Sequence, residues 1–162
     1  MSATQEDLFA VFDRLGVETT THRHAAVFTV DENRALRGEL AGGHCKSLFL
    51  KDKKGALWLV VTLEDRAVDM KALRHVIGSA PLSFAKPELL RQVLGVDPGS
   101  VTPFALINDT AGRVNVVLDE EMMDLELLNY HPLVNTATTS IGALDLLNFI
   151  GACGHEPRIL KI

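Results

Sequence analysis

Hydrophobic positions along the chain fall into two rhythms. Leu8, Val11, Phe12 and Leu15 recur at helical spacing, Thr4 with Asp7 forms a capping pair ahead of them, and Gly16 can close the turn, so the first element is a helix. Residues 19–24 alternate as a short strand does. Thr29 and Glu32 repeat the Ser/Thr-x-x-Glu start signal and predict a short helix to about Arg37. After Gly42 and Gly43 come two apolar runs, 45–51 and 56–63, joined by Asp-Lys-Lys-Gly; they predict a core hairpin.

Further on, 69–76 ends at Gly78, and Pro87 opens a helix over 88–94 that Gly95 closes. Two apolar runs, 101–107 and 114–118, predict strands with a turn over 108–112. Residues 125–129 and 135–139 predict another strand pair around a Tyr-His-Pro bend. Ser140 can cap a final helix to Phe149, with Leu144, Leu147 and Ile150 inward, and 158–162 can add a last short strand. The elements lack the βα alternation of a doubly wound sheet. The expectation is one compact α+β domain over residues 1–162, with a curved, mixed, largely antiparallel sheet and flanking helices.

Composition changes this picture little. With 162 residues, 47% hydrophobic and 23% charged, the chain is that of a soluble globular domain. No apolar run nears the roughly 20 residues of a membrane span, and the polar, acidic start is unlike a secretory signal. Cys45 and Cys153 make no disulfide framework, so the expected compartment is the cytoplasm. A net charge of −5 argues against coating nucleic acid broadly, although Lys46, Lys51, Lys53 and Lys54 could form a local basic patch or merely a solvated hairpin tip.

Candidate chemistry starts with what is missing. His22 and His24, His44 and Cys45, and Cys153 and His155 lack the spacing of a zinc site, and neither a phosphate-binding glycine loop nor a Gly-x-Ser-x-Gly elbow occurs. His44 and Cys45 would point to opposite faces of a strand and cannot easily pair. Three features remain. Lys46 should share a strand face with Leu48 and Leu50, where an ammonium is costly unless it lines a cleft, meets an anion or snorkels to water. The stiff stretch Gly99-Ser100-Val101-Thr102-Pro103 can leave backbone amides free for a carbonyl or phosphate oxygen. Between two apolar segments lies Asn-Tyr-His-Pro-Leu-Val-Asn-Thr-Ala-Thr-Thr-Ser, from Asn129 to Ser140. Its His131, Asn135 and hydroxyls suit the wall of a polar pocket, or equally a Thr-rich strand with one buried histidine.

Taken in order, the Lys46 strand, the segment Gly95-Val-Asp-Pro-Gly-Ser-Val-Thr-Pro-Phe104 and the Asn129–Ser140 run resemble the trans-editing aminoacyl-tRNA deacylases related to the insertion domain of bacterial prolyl-tRNA synthetase, the YbaK-like family. The chain most resembles their freestanding alanyl-tRNA(Pro) deacylases, the prolyl-tRNA synthetase associated domain proteins. The resemblance implies hydrolysis of the ester of mischarged tRNA(Pro) without metal or cofactor. It implies Lys46 as the catalytic lysine and Gly99 to Pro103 as the substrate-binding loop. His131 and Asn135 then become the histidine and asparagine of a His-Pro-x-x-Asn stretch that reads the amino acid. Ser47 departs from some members of this branch, where asparagine is expected. The expected partner is the tRNA acceptor end, with prolyl-tRNA synthetase or an elongation factor as a further one. A deacylase for Ser-, Thr- or Cys-tRNA and a non-catalytic tRNA- or synthetase-binding module are the alternatives.

Overall fold

The computed structural model describes residues 2–25 and 40–162; the helix expected from Thr29 to Arg37 lies outside them. The first helix, α1 (Gln5–Leu15), is built as its sequence signals predict. Thr4 Oγ1 accepts from the Asp7 amide at 3.2 Å, Asp7 returns a bond to the Thr4 amide at 2.9 Å, and Gly16 ends the helix at φ 69°. Leu8 and Phe12 face inward, where Phe12 meets Phe104 and Phe149 at centroid distances of 5.2 and 5.4 Å.

The strands are β1 (Thr19–Arg23), β2 (Gly43–Asp52), β3 (Leu57–Leu63), β4 (Leu82–Phe84), β5 (Val114–Asp119), β6 (Leu127–Tyr130), β7 (Ala137–Gly142) and β8 (Arg158–Leu160). They form one mixed sheet in the order β1-β7-β6-β2-β3-β5-β8, with β4 on the edge of β2. The β2–β3 hairpin is antiparallel, while β2–β6, β3–β5 and β5–β8 run parallel. The run Leu-Trp-Leu-Val-Val of β3 is apolar throughout because both of its faces are covered. Phe49, Leu57, Leu59 and Val61 pack on one side with α1, α3 (Pro87–Leu94) and α5 (Ala143–Ala152). On the other, Leu50, Trp58, Val60 and Val117 meet Leu73 and Ile77 of α2 (Met70–Ile77). The short α4 (Glu120–Met123) follows β5.

Several expectations change. The run 101–107 is not a strand. Thr102 caps Phe104, and Pro103 opens a 3-10 helix, Pro103–Asn108. A buried apolar run of this length reads alike as strand or helix, and here proline settles it by removing an amide donor. Ser140 does not cap the last helix: it lies within β7, and Gly142 stands at the cap of α5. Leu144 points outward, 77% exposed, while Leu146, Phe149 and Ile150 face the core. β4 carries too little apolar patterning to be predicted. Gly42 and Gly43 do more than break the chain. A Cβ on Gly42 would lie 2.8 Å from the Leu127 carbonyl oxygen and one on Gly43 2.5 Å from Leu125, so the two glycines let β2 cross close to β6.

Candidate active site

The site arises where β2 changes neighbours. Its first residues, Gly43 and His44, pair with β6, and β4 takes over only at Leu50. Between these points the outer edge of β2 opens onto a cleft of about 780 Å³. Lys46, Gly99, Val101 and His131 line it together, with Glu64, Tyr130 and Thr138. Three segments far apart in sequence therefore meet at one gap in the sheet.

Lys46 lies opposite Thr62 in the hairpin. The side of β2 shared by Lys46, Leu48 and Leu50 follows the alternation predicted from sequence, since Leu48 and Leu50 pack with α2 and Phe49 with the other core. Lys46 Nζ donates to the backbone carbonyl of Arg66. An ammonium has three donors, and this bond uses one of them. Beneath it, Arg66 pairs with the buried Asp119 at 2.8 Å, and Asp119 also accepts from the Thr62 hydroxyl at 2.6 Å. The carbonyl that holds Lys46 thus belongs to a residue that is itself fastened to the sheet.

The opposite wall comes from a 3-10 turn, Pro98–Ser100, and Val101 after it. Gly99 and Val101 face the cleft, whereas Ser100, Thr102 and Pro103 are buried and are not among its lining residues. The Ser100 amide is spent on the Asp97 carbonyl at 2.9 Å, and the Thr102 hydroxyl on the Phe104 amide at 3.3 Å. Of the five loop residues expected at the substrate, Gly99 and Val101 line the cleft and the other three lie behind them. Asn135 is not a lining residue, yet its side-chain nitrogen lies 3.3 Å from where a Cβ on Gly99 would stand.

The third wall is the bend between β6 and β7. His131 donates from Nδ1 to the Ala137 carbonyl at 3.0 Å, which leaves Nε2 as the acceptor of the neutral ring. Burial lowers the pKa of His131, and the nearby His24 lowers it further. The two rings lie 6.4 Å apart, and His24 Nε2 meets the Thr138 hydroxyl at 2.9 Å. Leu133 takes φ 71°, unusual for a residue with a Cβ, while its amide bonds back to the His131 carbonyl at 3.0 Å. The bend around Pro132 is therefore a tight, strained turn that fixes the imidazole. Both readings of this run hold in part: Asn129, Tyr130, His131 and Thr138 line the cleft, and Thr138 does so from within the Thr-rich strand β7.

Sequence reasoning did not single out Glu64 or Tyr130, and held Thr138 only among the hydroxyls of the Asn129–Ser140 run. Glu64 follows β3 directly, and only the pairing of β2 with β3 brings it beside Lys46. Cys45 also borders the cleft, but burial pushes its thiol up to about 12, as befits a packed sulfur and not a nucleophile. Asn129 borders it too, with its side chain spent on the Ala41 and Gly43 carbonyls and the Ser140 hydroxyl. Among the described residues no three of His, Cys, Asp and Glu gather as metal ligands would.

Residues 24–149 match the aminoacyl-tRNA editing domain, and the chain belongs to that family. Among its relatives, the zebrafish (Danio rerio) prolyl-tRNA synthetase associated domain-containing protein 1 is 39% identical, over 97% of this chain and 86% of its own. The prolyl-tRNA editing protein ProX of Acetoanaerobium sticklandii is 32% identical, over 98% of this chain and 97% of its own. The fold matches a crystal structure described as a candidate trans-editing enzyme for prolyl tRNA synthetase, with TM-score 0.72, 21% identity, and 100% and 99% of the two chains covered.

Proposed function

We propose that this chain hydrolyses the ester of misacylated tRNA in trans, with Ala-tRNA(Pro) as its substrate. The observation that carries the proposal is the meeting of Lys46, Gly99, Val101 and His131 at one cleft in a chain of the editing family. An aminoacyl ester is already labile, so its hydrolysis needs a placed water and stabilised charge more than a strong nucleophile. Lys46, anchored on the Arg66 carbonyl, keeps donors for the terminal phosphate or ribose and for negative charge developing on the ester. Gly99 and Val101 bring backbone close to the ester, because Gly99 has no side chain to hold it off. His131 and Asn135 bound the amino-acid end. Neutral His131 offers a lone pair at Nε2 to the substrate ammonium or to water.

Size is the basis of discrimination. A pocket built for proline cannot strongly reject alanine, since each missing methylene is worth only about 1–3 kcal/mol. A second pocket that admits alanine and excludes the proline ring corrects the error. Purified protein given Ala-, Ser-, Thr-, Cys- and Pro-tRNA(Pro) should hydrolyse the alanyl ester fastest and spare the prolyl one. Equal hydrolysis of the alanyl and prolyl esters, or none of either, would remove the proposal.

A further inference from the structure

The cleft does not end at Ser47. Ser47, Pro98 and Val101 also line an adjoining, more apolar groove of about 560 Å³, together with Phe84, Pro87 and Leu90. Phe84 stands on this groove 65% exposed. It sits on the three-residue β4, pinned to the edge of β2 by pairing with Leu50. A large aromatic held on a strand, left in water and bordering an apolar groove, is the arrangement on which a flat, apolar-faced group stacks.

The charge around it is positive although the whole chain is acidic. Lys51 pairs across β2–β4 with Ser83, Lys53 and Lys54 lie in the adjoining hairpin turn, and Lys86 follows Phe84 by two residues; all four are exposed. Glu88 is the acidic residue in the first turn of α3. Aromatic platforms between lysines are how proteins hold unpaired nucleotides, the ring taking the base and the ammoniums the phosphates.

We propose that this groove receives the unpaired 3′-terminal nucleobase of the tRNA, stacked on Phe84, while Lys51 and Lys86 meet the phosphates that lead to it. The inference rests on the deacylase reading and supplies what that reading lacks, a hold on the nucleotide that bears the ester. Base and ester hang from the same ribose, so the base must lodge within one sugar of the reacting carbonyl. The groove and the cleft share Ser47, Pro98 and Val101, which gives that adjacency.

The test uses an acceptor-stem RNA ending in unpaired CCA, with alanine attached through a non-hydrolysable amide, and the same RNA lacking its terminal base. Removing the base should weaken binding to the wild-type chain about tenfold or more, and Phe84→Ala should weaken binding of the intact RNA equally. Phe84→Tyr should keep the affinity. In Phe84→Ala the penalty for the missing base should vanish. Lys51→Ala and Lys86→Ala should weaken both RNAs alike and flatten the salt dependence. Because Phe84 is exposed, its variants should unfold at the wild-type temperature. The proposal is overturned if the wild-type chain binds the two RNAs equally or binds neither, or if the penalty persists in Phe84→Ala. Hydrolysis of ester-linked Ala-tRNA(Pro) is read separately. A chain that stacks the base but spares the ester keeps this inference and loses the deacylase.

Discussion

The side-chain amide of Asn135 occupies the space beside Gly99, with its nitrogen 3.3 Å from where a Cβ would stand. The 3-10 turn Pro98–Ser100 and the bend between β6 and β7 thus approach each other at a residue that has no side chain. Gly99→Ala pushes on Asn135 without straining its own backbone, because φ at Gly99 lies outside the left-handed region. A shift of a few tenths of an ångström at the substrate end should lower kcat/KM about tenfold while leaving thermal stability nearly unchanged. Asn135→Ala introduced into the Gly99→Ala chain removes the clash and should recover part of that loss. Single-turnover deacylation of the four proteins checks it, and a fully additive loss in the double variant would refute the contact.

The proposed deacylation makes its most direct demand on Lys46. Lys46→Ala removes the ammonium but leaves the hairpin, whose strands are joined by backbone bonds and apolar packing. Deacylation should fall by about 100-fold or more, in the range of losing one positioned charge at a reacting oxygen, with the melting temperature held. Lys46→Arg should not rescue, since a planar guanidinium cannot take the same place on the Arg66 carbonyl. Wild-type turnover in Lys46→Ala would remove this residue from the mechanism.

What the sequence disclosed follows from how local each signal was. The cap of α1 and the glycines ending α1, α2 and α3 are written within a few residues, and the structure matches them. The β2–β3 hairpin is equally local, so the face of Lys46 was legible too. The 101–107 run was misread because burial makes a 3-10 helix as apolar as a strand, and Leu144 because the inward face of α5 depends on where the helix starts. The site was legible as three separate segments but not as a geometry. Sequence spacing gives no sign that Ser100 and Thr102 turn inward while Gly99 and Val101 line the cleft, nor that Glu64 arrives from the far end of β3.

His131 makes a pH prediction. Its folded pKa is lowered from the ordinary value near 6.5, so the neutral ring persists below the pH at which a free histidine charges. The stability linked to it is therefore fully present above about pH 6.5 and is lost as pH falls through the lower folded value. Activity that needs neutral His131 should stay flat from about pH 8 to 6.5 and decline only on the acid side of that range. In His131→Asn that acid limb should disappear from the kcat/KM profile. A limb centred at or above pH 6.5, or one unchanged in His131→Asn, would assign the titration to another group.

Away from the cleft, Asp109 ties the turn before β5 to the C-terminal segment. It accepts from the Arg113 and Val114 amides at 3.0 and 2.9 Å and from His155 Nε2 at 2.8 Å, with both side chains buried. Burial alone would raise its pKa, but the His155 bond and the two amides outweigh that and leave it lowered. A lowered carboxylate gives stability that is present above about pH 4 and lost as pH falls through the folded value. Asp109→Ala leaves two amides and an imidazole without their acceptor and should cost about 3 kcal/mol at pH 7. Urea unfolding between pH 7 and 3 checks both parts: below about pH 4 the wild-type curve should fall more steeply than that of the variant. Deacylation by the folded variant at pH 7 should match wild type, because Asp109 is not among the residues lining the cleft. Parallel acid curves for the two proteins would show that Asp109 is not the carboxylate whose protonation weakens the fold.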